Sequence, residues 1–223
     1  MSLYVELVLR WKEPKKSNFP KMGSGYDLTS IAKLLNGELI GSPPLSPINI
    51  LLIDSRKMVS PENALFFAIV GEQHDGHKYI SQLVKRGFTN FVVSKKQELP
   101  EGCCQLLVDD TLDSFQRLAK AHRKKFNYPV VGITGSNGKT IVKEWLFQLL
   151  QPDLGIVRSP KSYNSQIGVP LSVWKMGDNH EIALIEAGIS MVGEMALLQE
   201  IIDPTDVIIT NIHEAHDENF DNR

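Results

Sequence analysis

The chain has 223 residues, 42% hydrophobic and 22% charged, enough apolar material for one large or two modest globular domains. Its net charge of −2 gives no electrostatic case for binding nucleic acid or an anionic membrane. No apolar run is long enough to span a bilayer, and the short run at 4–9 precedes the nearby basic residues, the wrong order for a secretory signal.

Residues 1–24 read as an extension or flexible arm, polar and proline-broken around Trp11–Ser17. A helix is expected over 27–36, with Leu28, Ile31, Ala32, Leu34 and Leu35 apolar and Gly37 as its terminator. A proline-rich loop follows at 41–47. The continuous apolar run 65–70 has the character of a strand covered on both faces. Polar clusters flank it, Asp54-Ser55-Arg56-Lys57 before and 71–77 after, at the strand ends where α/β folds place ligands. Ser55, Arg56, Asp75 and His77 could bind a ligand there; as turn and cap residues they need no ligand, and spacing favours that plainer role.

The pattern then predicts a helix over 77–86, strands at 91–93 and 106–108, and a helix from a capping Thr111 to about 126. His122 on that helix reads as a surface residue. The adjacent Cys103 and Cys104 cannot form an ordinary bridge with each other and read as reduced thiols, which places the protein in the cytoplasm. Asn127-Tyr128-Pro129 breaks the helix and sets a boundary between a first domain, 25–127, and a second, 128–223.

The second domain opens on Val130-Val131-Gly132-Ile133-Thr134 followed by Gly135-Ser136-Asn137-Gly138-Lys139-Thr140. A buried strand running through a glycine-rich turn into a helix is a nucleoside-triphosphate site. The backbone N–H groups and the helix N-terminus face the phosphates, Lys139 reaches their outer oxygens and the Thr140 hydroxyl suits Mg²⁺. The loop is a variant, because the strict pattern wants glycine at position 133, where this chain has Ile133. Further on, 141–150 reads as helix, 156–157 as strand, 161–166 as a polar loop and 171–176 as helix with Pro170 in its first turn. The strand 182–186 ends in Glu186, a carboxylate placed either to hold Mg²⁺ beside the phosphate loop or to sit on the surface near a helix. A helix over 193–202 and a strand over 207–211 complete a parallel α/β pattern. The sheet reads as incomplete at Arg223.

Together, Gly135–Thr140 with Val142-Lys143-Glu144, the segment from Tyr163 to Leu171, Glu186-Ala187-Gly188 and the segment Asn211 to His216 resemble the Mur ligases of peptidoglycan synthesis, and among them the MurF branch. The earlier Asp54–Lys57, Leu65–Ala68 and Asp75-Gly76-His77 resemble the UDP-binding first domain of the MurE and MurF branches. The resemblance implies a small UDP-binding α/β domain followed by the first part of a P-loop-type, parallel-sheet ATPase domain. It implies ATP and Mg²⁺ as cofactors. The substrates would be UDP-N-acetylmuramoyl-tripeptide and D-Ala-D-Ala, joined through an acyl phosphate.

By the same resemblance, the amides of 135–140 and Lys139 would hold the phosphates. Thr140, Glu186 and His216 would ligand metal, Asn164 would lie near the reacting groups, and Ser55, Arg56, Asp75 and His77 would contact the UDP moiety. Two departures stand out: Ser165 where the family often has a second Asn, and no counterpart of the family's closing C-terminal domain. A piece of a ligase, inactive by itself, is therefore expected, with fusion to an alanine racemase a possible arrangement of the whole protein. The alternatives are a MurE-type ligase adding one amino acid, a folylpolyglutamate synthase, and a non-catalytic nucleotide-binding module.

Overall fold

A computed structural model of the protein describes residues 25–189, 191 and 193–212. The first sheet has five strands in the order β1-β7-β6-β3-β2. These are β1 (Glu38–Gly41), β2 (Ile50–Leu52), β3 (Ala64–Phe67), β6 (Asn90–Val93) and β7 (Cys104–Leu107). Strand β3 lies inside the sheet, and all four of its side chains are fully buried. Its alternation sends Leu65 and Phe67 to one face, against helices α1 (Leu28–Leu35) and α3 (Thr111–Arg123). Ala64 and Phe66 go to the other face, against Ile80 and Leu83 of α2 (Ile80–Lys85). The continuous apolar run therefore has the cause expected for it. Truncating Phe66 or Phe67 to alanine costs about 3–5 kcal/mol.

Several local expectations shift. Helix α1 ends on Asn36, which takes the left-handed conformation at φ 55 and donates its N–H to the last turn, so Gly37 is not the left-handed residue. Gly37 instead leads into β1, which pairs antiparallel with β7 where an all-parallel sheet is expected. As an edge strand with no crossover helix from β7, it is free to run in reverse. The apolar run stops short of residue 70: Val70–Gly71 (β4) and His74–Asp75 (β5) form an antiparallel hairpin. The helix expected from His77 begins as a 3₁₀ turn, Gly76–Tyr79, before α2. Asp110, not Thr111, caps α3, its carboxylate accepting the N–H groups of Leu112 and Asp113 at 2.7 and 3.0 Å. Thr111 turns inward and donates to the carbonyl of Ala68 at 3.1 Å.

The second sheet has four parallel strands in the order β11-β8-β10-β9, namely β8 (Val130–Thr134), β9 (Ile156–Arg158), β10 (Ile182–Glu186) and β11 (Asp206–Ile209). Val131, Ile133 and Leu184 pack under Val142, Leu146 and Phe147 of α4 (Lys139–Leu150). On the opposite face Val130, Ala183 and Ile185 meet α5 (Gly168–Val173) and α6 (Glu194–Ile202). This explains the variant loop: position 133 lies inside a buried strand and fills the core under α4.

Helix α3 serves both sheets. Phe115 and Leu118 belong to the core over the first, Ala119 to the core of the second, as does Phe126 just beyond the helix. His122 is 2% exposed, contrary to the expected surface position. Tyr26 Oη lies 2.5 Å from its Nδ1 and the Met176 carbonyl 3.1 Å from its Nε2. A carbonyl only accepts, so Nε2 carries the proton and Nδ1 accepts from Tyr26. Trp174 packs against both rings and donates its Nε1–H to Asn49 O at 2.9 Å. Burial pushes the His122 pKa down to about 4. Arg123 donates to the carbonyls of Ile202, Asp203 and Phe126 at 2.7–2.8 Å, closing the C-terminal end of α6. Among the described residues, no helix is long and apolar enough to cross a membrane.

Candidate active site

The loop Gly135–Gly138 joins the C-terminal end of β8 to the N-terminus of α4, between the ends of β10 and β11. This is where open parallel sheets bind ligands. Gly135 has φ +129 and Gly138 φ +82, both left-handed. At Gly135 a Cβ would also collide with Thr210 Oγ1 and lie 2.8 Å from Asn211 O, so backbone and space both demand glycine. The loop is tied to the segment after β11. Ser136 N–H donates to Asn211 O at 3.0 Å and Asn137 N–H to Asn211 Oδ1 at 2.8 Å. Thr210 Oγ1 donates to Asn137 O at 2.5 Å.

In this conformation the amides of Ser136 and Asn137 are both bonded to Asn211. The N–H groups at the start of α4 have no i−4 carbonyl within the helix, and the positive end of its dipole faces the loop. Lys139 Nζ curls over the loop, donating to Gly135 O at 2.5 Å and Ser136 O at 3.3 Å.

Thr140 Oγ1 donates to Glu186 Oε2 at 3.1 Å and lies 3.2 Å from Ser162 Oγ. Glu186 is fully buried, so the surface alternative for this acid does not hold. Its N–H donates to Ser159 Oγ at 3.0 Å. Its Oε1 pairs with Lys143 Nζ at 2.8 Å. A threonine hydroxyl and a buried carboxylate form a hard oxygen pair of the kind Mg²⁺ takes, alongside phosphate oxygens and water. Among the described residues no three His, Cys, Asp or Glu side chains gather into a metal site. His216, the further expected ligand, lies outside the described residues, as does its neighbour His213.

Asn164 is brought to the same place. Its carbonyl accepts the Gly188 N–H at 2.8 Å, and its side chain lies over Gly188, two residues past Glu186. Ser165 Oγ accepts the Gly168 N–H at 3.3 Å, at the start of α5.

The four first-domain candidates sit at the C-terminal side of the first sheet, each with a local partner. Asp54 grips the exposed Arg56 through both carboxylate oxygens at 2.9 Å, which lowers the Asp54 pKa to about 2. Asp75 accepts from the His77 N–H at 3.0 Å and lies 2.6 Å from its Nδ1, contacts that lower the Asp75 pKa. His77 Nε2 accepts the Ser94 N–H at 3.1 Å. Ser55 is buried, and its carbonyl accepts from Arg86.

Two family models match the chain: "Mur ligase family, catalytic domain" over residues 47–130 and "Mur ligase middle domain" over residues 133–223. The UDP-N-acetylmuramoyl-tripeptide–D-alanyl-D-alanine ligase of Synechocystis is 36% identical over 199 residues, covering 87% of this chain and 43% of the relative. The ligase of the same name from Bacillus subtilis is 34% identical over 196 residues, with 87% and 42% covered.

The chain belongs to the Mur ligase family.

Among solved Mur ligases, MurF from Acinetobacter baumannii superposes with a TM-score of 0.81 at 27% identity, covering 88% of this chain and 43% of that one. MurF from Thermotoga maritima in complex with ADP gives 0.63 at 28% identity, with 73% and 37% covered. The chain thus spans 37–43% of the length of these Mur ligases. One site residue escaped the sequence reading. Lys143 appeared there as a family signature with no role, yet it is fully buried against Glu186. Its spacing of three from Thr140, on one helix face, was the available signal.

Proposed function

We propose that the protein to which this chain belongs is a cytoplasmic, ATP-dependent amide ligase of peptidoglycan precursor synthesis. It joins D-Ala-D-Ala to the terminal carboxylate of UDP-N-acetylmuramoyl-tripeptide. The observation that carries the reading is the Thr140–Glu186 contact of 3.1 Å at the mouth of the phosphate-loop helix. The names of the relatives supply the substrates.

In this reading the substrate carboxylate attacks the γ-phosphorus of ATP, the bond to the ADP oxygen breaks, and an acyl phosphate forms. The amine of D-Ala-D-Ala then attacks the acyl carbon, phosphate leaves, and the amine loses its proton. The first step needs positioning and charge neutralisation above all. Lys139 swings from the loop carbonyls to the phosphates, and the start of α4 supplies amide donors and its dipole. Thr140 and Glu186 would hold Mg²⁺, with His216 as a further ligand. When bound, the ion neutralises charge on the phosphate oxygens. Asn164, beside Gly188, would orient the reacting groups. Ser55, Arg56, Asp75 and His77 would contact the UDP moiety at the C-terminal side of the first sheet. Arg56 is free to swing toward a diphosphate, being paired only at the surface, whereas the buried His77 would act by holding Asp75 and the Ser94 backbone in place.

The deciding experiment is a product assay of the full-length protein with UDP-N-acetylmuramoyl-tripeptide and ATP, offering D-Ala-D-Ala or single amino acids. Ligation of the dipeptide alone supports the reading. Ligation of one amino acid instead would assign a MurE-type reaction, and nucleotide binding without any product a non-catalytic module.

A further inference from the structure

Lys143 is a charged side chain with no exposure, and its ammonium lies where three chain segments meet. Its Nζ stands 2.8 Å from Glu186 Oε1 on β10 and 3.2 Å from Glu144 Oε1 on its own helix. It donates to Ser159 O at 2.8 Å and to Lys161 O, both just past β9. Lys161 is one of three non-glycine residues with positive φ among those described, at +49. The turn held this way presents Ser162 to Thr140 at 3.2 Å and sets the Tyr163 ring 5.7 Å from Lys57 Nζ of the first domain. Glu144 in turn pairs with Arg158.

We propose that Lys143 is a positioning residue for both halves of the site. Its ammonium fixes the Glu186 carboxylate with Oε2 toward Thr140. By holding two carbonyls, it also keeps the 159–164 turn in the shape that carries Ser162 to the phosphate side and Tyr163 to the first domain. A left-handed lysine is disfavoured by its own Cβ and persists where surrounding contacts over-determine it. Here those contacts converge on one ammonium. The inference rests on the nucleotide–metal reading above and adds to it a residue that touches neither ligand. Groups that orient metal ligands in this way change metal affinity by about 10–100-fold when removed.

The test uses Mn²⁺ with ADP, followed by the electron paramagnetic resonance of free Mn²⁺, on the wild-type chain and on Lys143→Met. ADP binding in EDTA is measured alongside. If the wild type does not bind Mn²⁺ with ADP, the nucleotide–metal reading itself fails. If it binds, the expected result for Lys143→Met is Mn²⁺ affinity weakened by about 10–100-fold, with metal-free ADP binding affected far less. General structural damage would weaken both together. Equal or tighter Mn²⁺ binding, or parallel loss of both, overturns the inference while leaving the reading intact. Should Lys143→Met not fold, Lys143→Gln is measured in its place. It keeps a donor for the turn but no charge for Glu186, and unchanged Mn²⁺ affinity there overturns the inference equally.

Discussion

Asn211 Oδ1 accepts the backbone N–H of Asn137 at 2.8 Å, so a residue 74 positions downstream shapes the phosphate loop. Replacing Asn211 by alanine removes that acceptor and leaves the adjoining backbone bond to Ser136 in place. A hydrogen bond of this kind contributes about 1 kcal/mol, so ADP affinity should fall roughly fivefold with the fold intact. Calorimetric titration reads this directly. An unchanged affinity would show that the loop keeps its shape without the side chain.

The two loop glycines should respond differently. Gly138→Ala meets only the cost of a left-handed residue, about 1–2 kcal/mol, since nothing lies closer than 3.9 Å to the added methyl. Gly135→Ala adds a collision with Thr210 Oγ1 and with the Asn211 backbone. Thermal unfolding and ADP titration should both rank Gly135→Ala as the more damaging. The reverse order would mean that the packing of the 210–211 segment on the loop is not maintained in solution.

Lys139→Ala, in the full-length protein, should lower the rate of ligation by about 10²–10³-fold, the loss of about 2.7–4 kcal/mol seen when one preorganised charge-stabilising donor is removed. Steady-state kinetics at saturating ATP test this, and a near-wild-type rate would remove Lys139 from the phosphoryl step.

The buried His122 should make stability pH-dependent in acid. Its pKa is about 4 in the fold against an ordinary 6.5, so below about pH 6.5 the unfolded chain takes up a proton that the folded chain refuses. Its contribution is intact above that pH. It is lost as pH falls toward 4, at up to about 1.4 kcal/mol per pH unit. Urea unfolding at pH 7, 5.5 and 4.5 should show the slope, and His122→Gln should flatten it. Equal slopes would place the acid sensitivity elsewhere.

Much of this was readable in advance because local chemistry and tertiary context agree. Val130–Thr134, Ile182–Glu186 and the loop between Gly135 and Thr140 announce two buried strands and a glycine-rich turn that opens a helix, and they fold as such. What stayed hidden depends on partners remote in sequence. His122 continues the stripe of Phe115, Leu118 and Ala119, but only the arrival of Met176 and Trp174 from just past α5 shows why a polar ring belongs there. The antiparallel β1 is set by pairing with β7, about which Glu38–Gly41 carry no local signal. For the first-domain candidates the turn-and-cap role is on view in Asp54 with Arg56 and Asp75 with His77.

Helix α3 bears on the order in which the protein is made. A first sheet emerging early from the ribosome can bury Phe115 and Leu118 at once, but Ala119 and Phe126 must wait for Leu198, Ile201 and Ile202. Arg123 likewise waits for the carbonyls of Ile202 and Asp203. Until then the last helix of the nascent first unit exposes an apolar flank and a buried-type cation. The packing of α3 is therefore complete only once residues near 200 have cleared the exit tunnel.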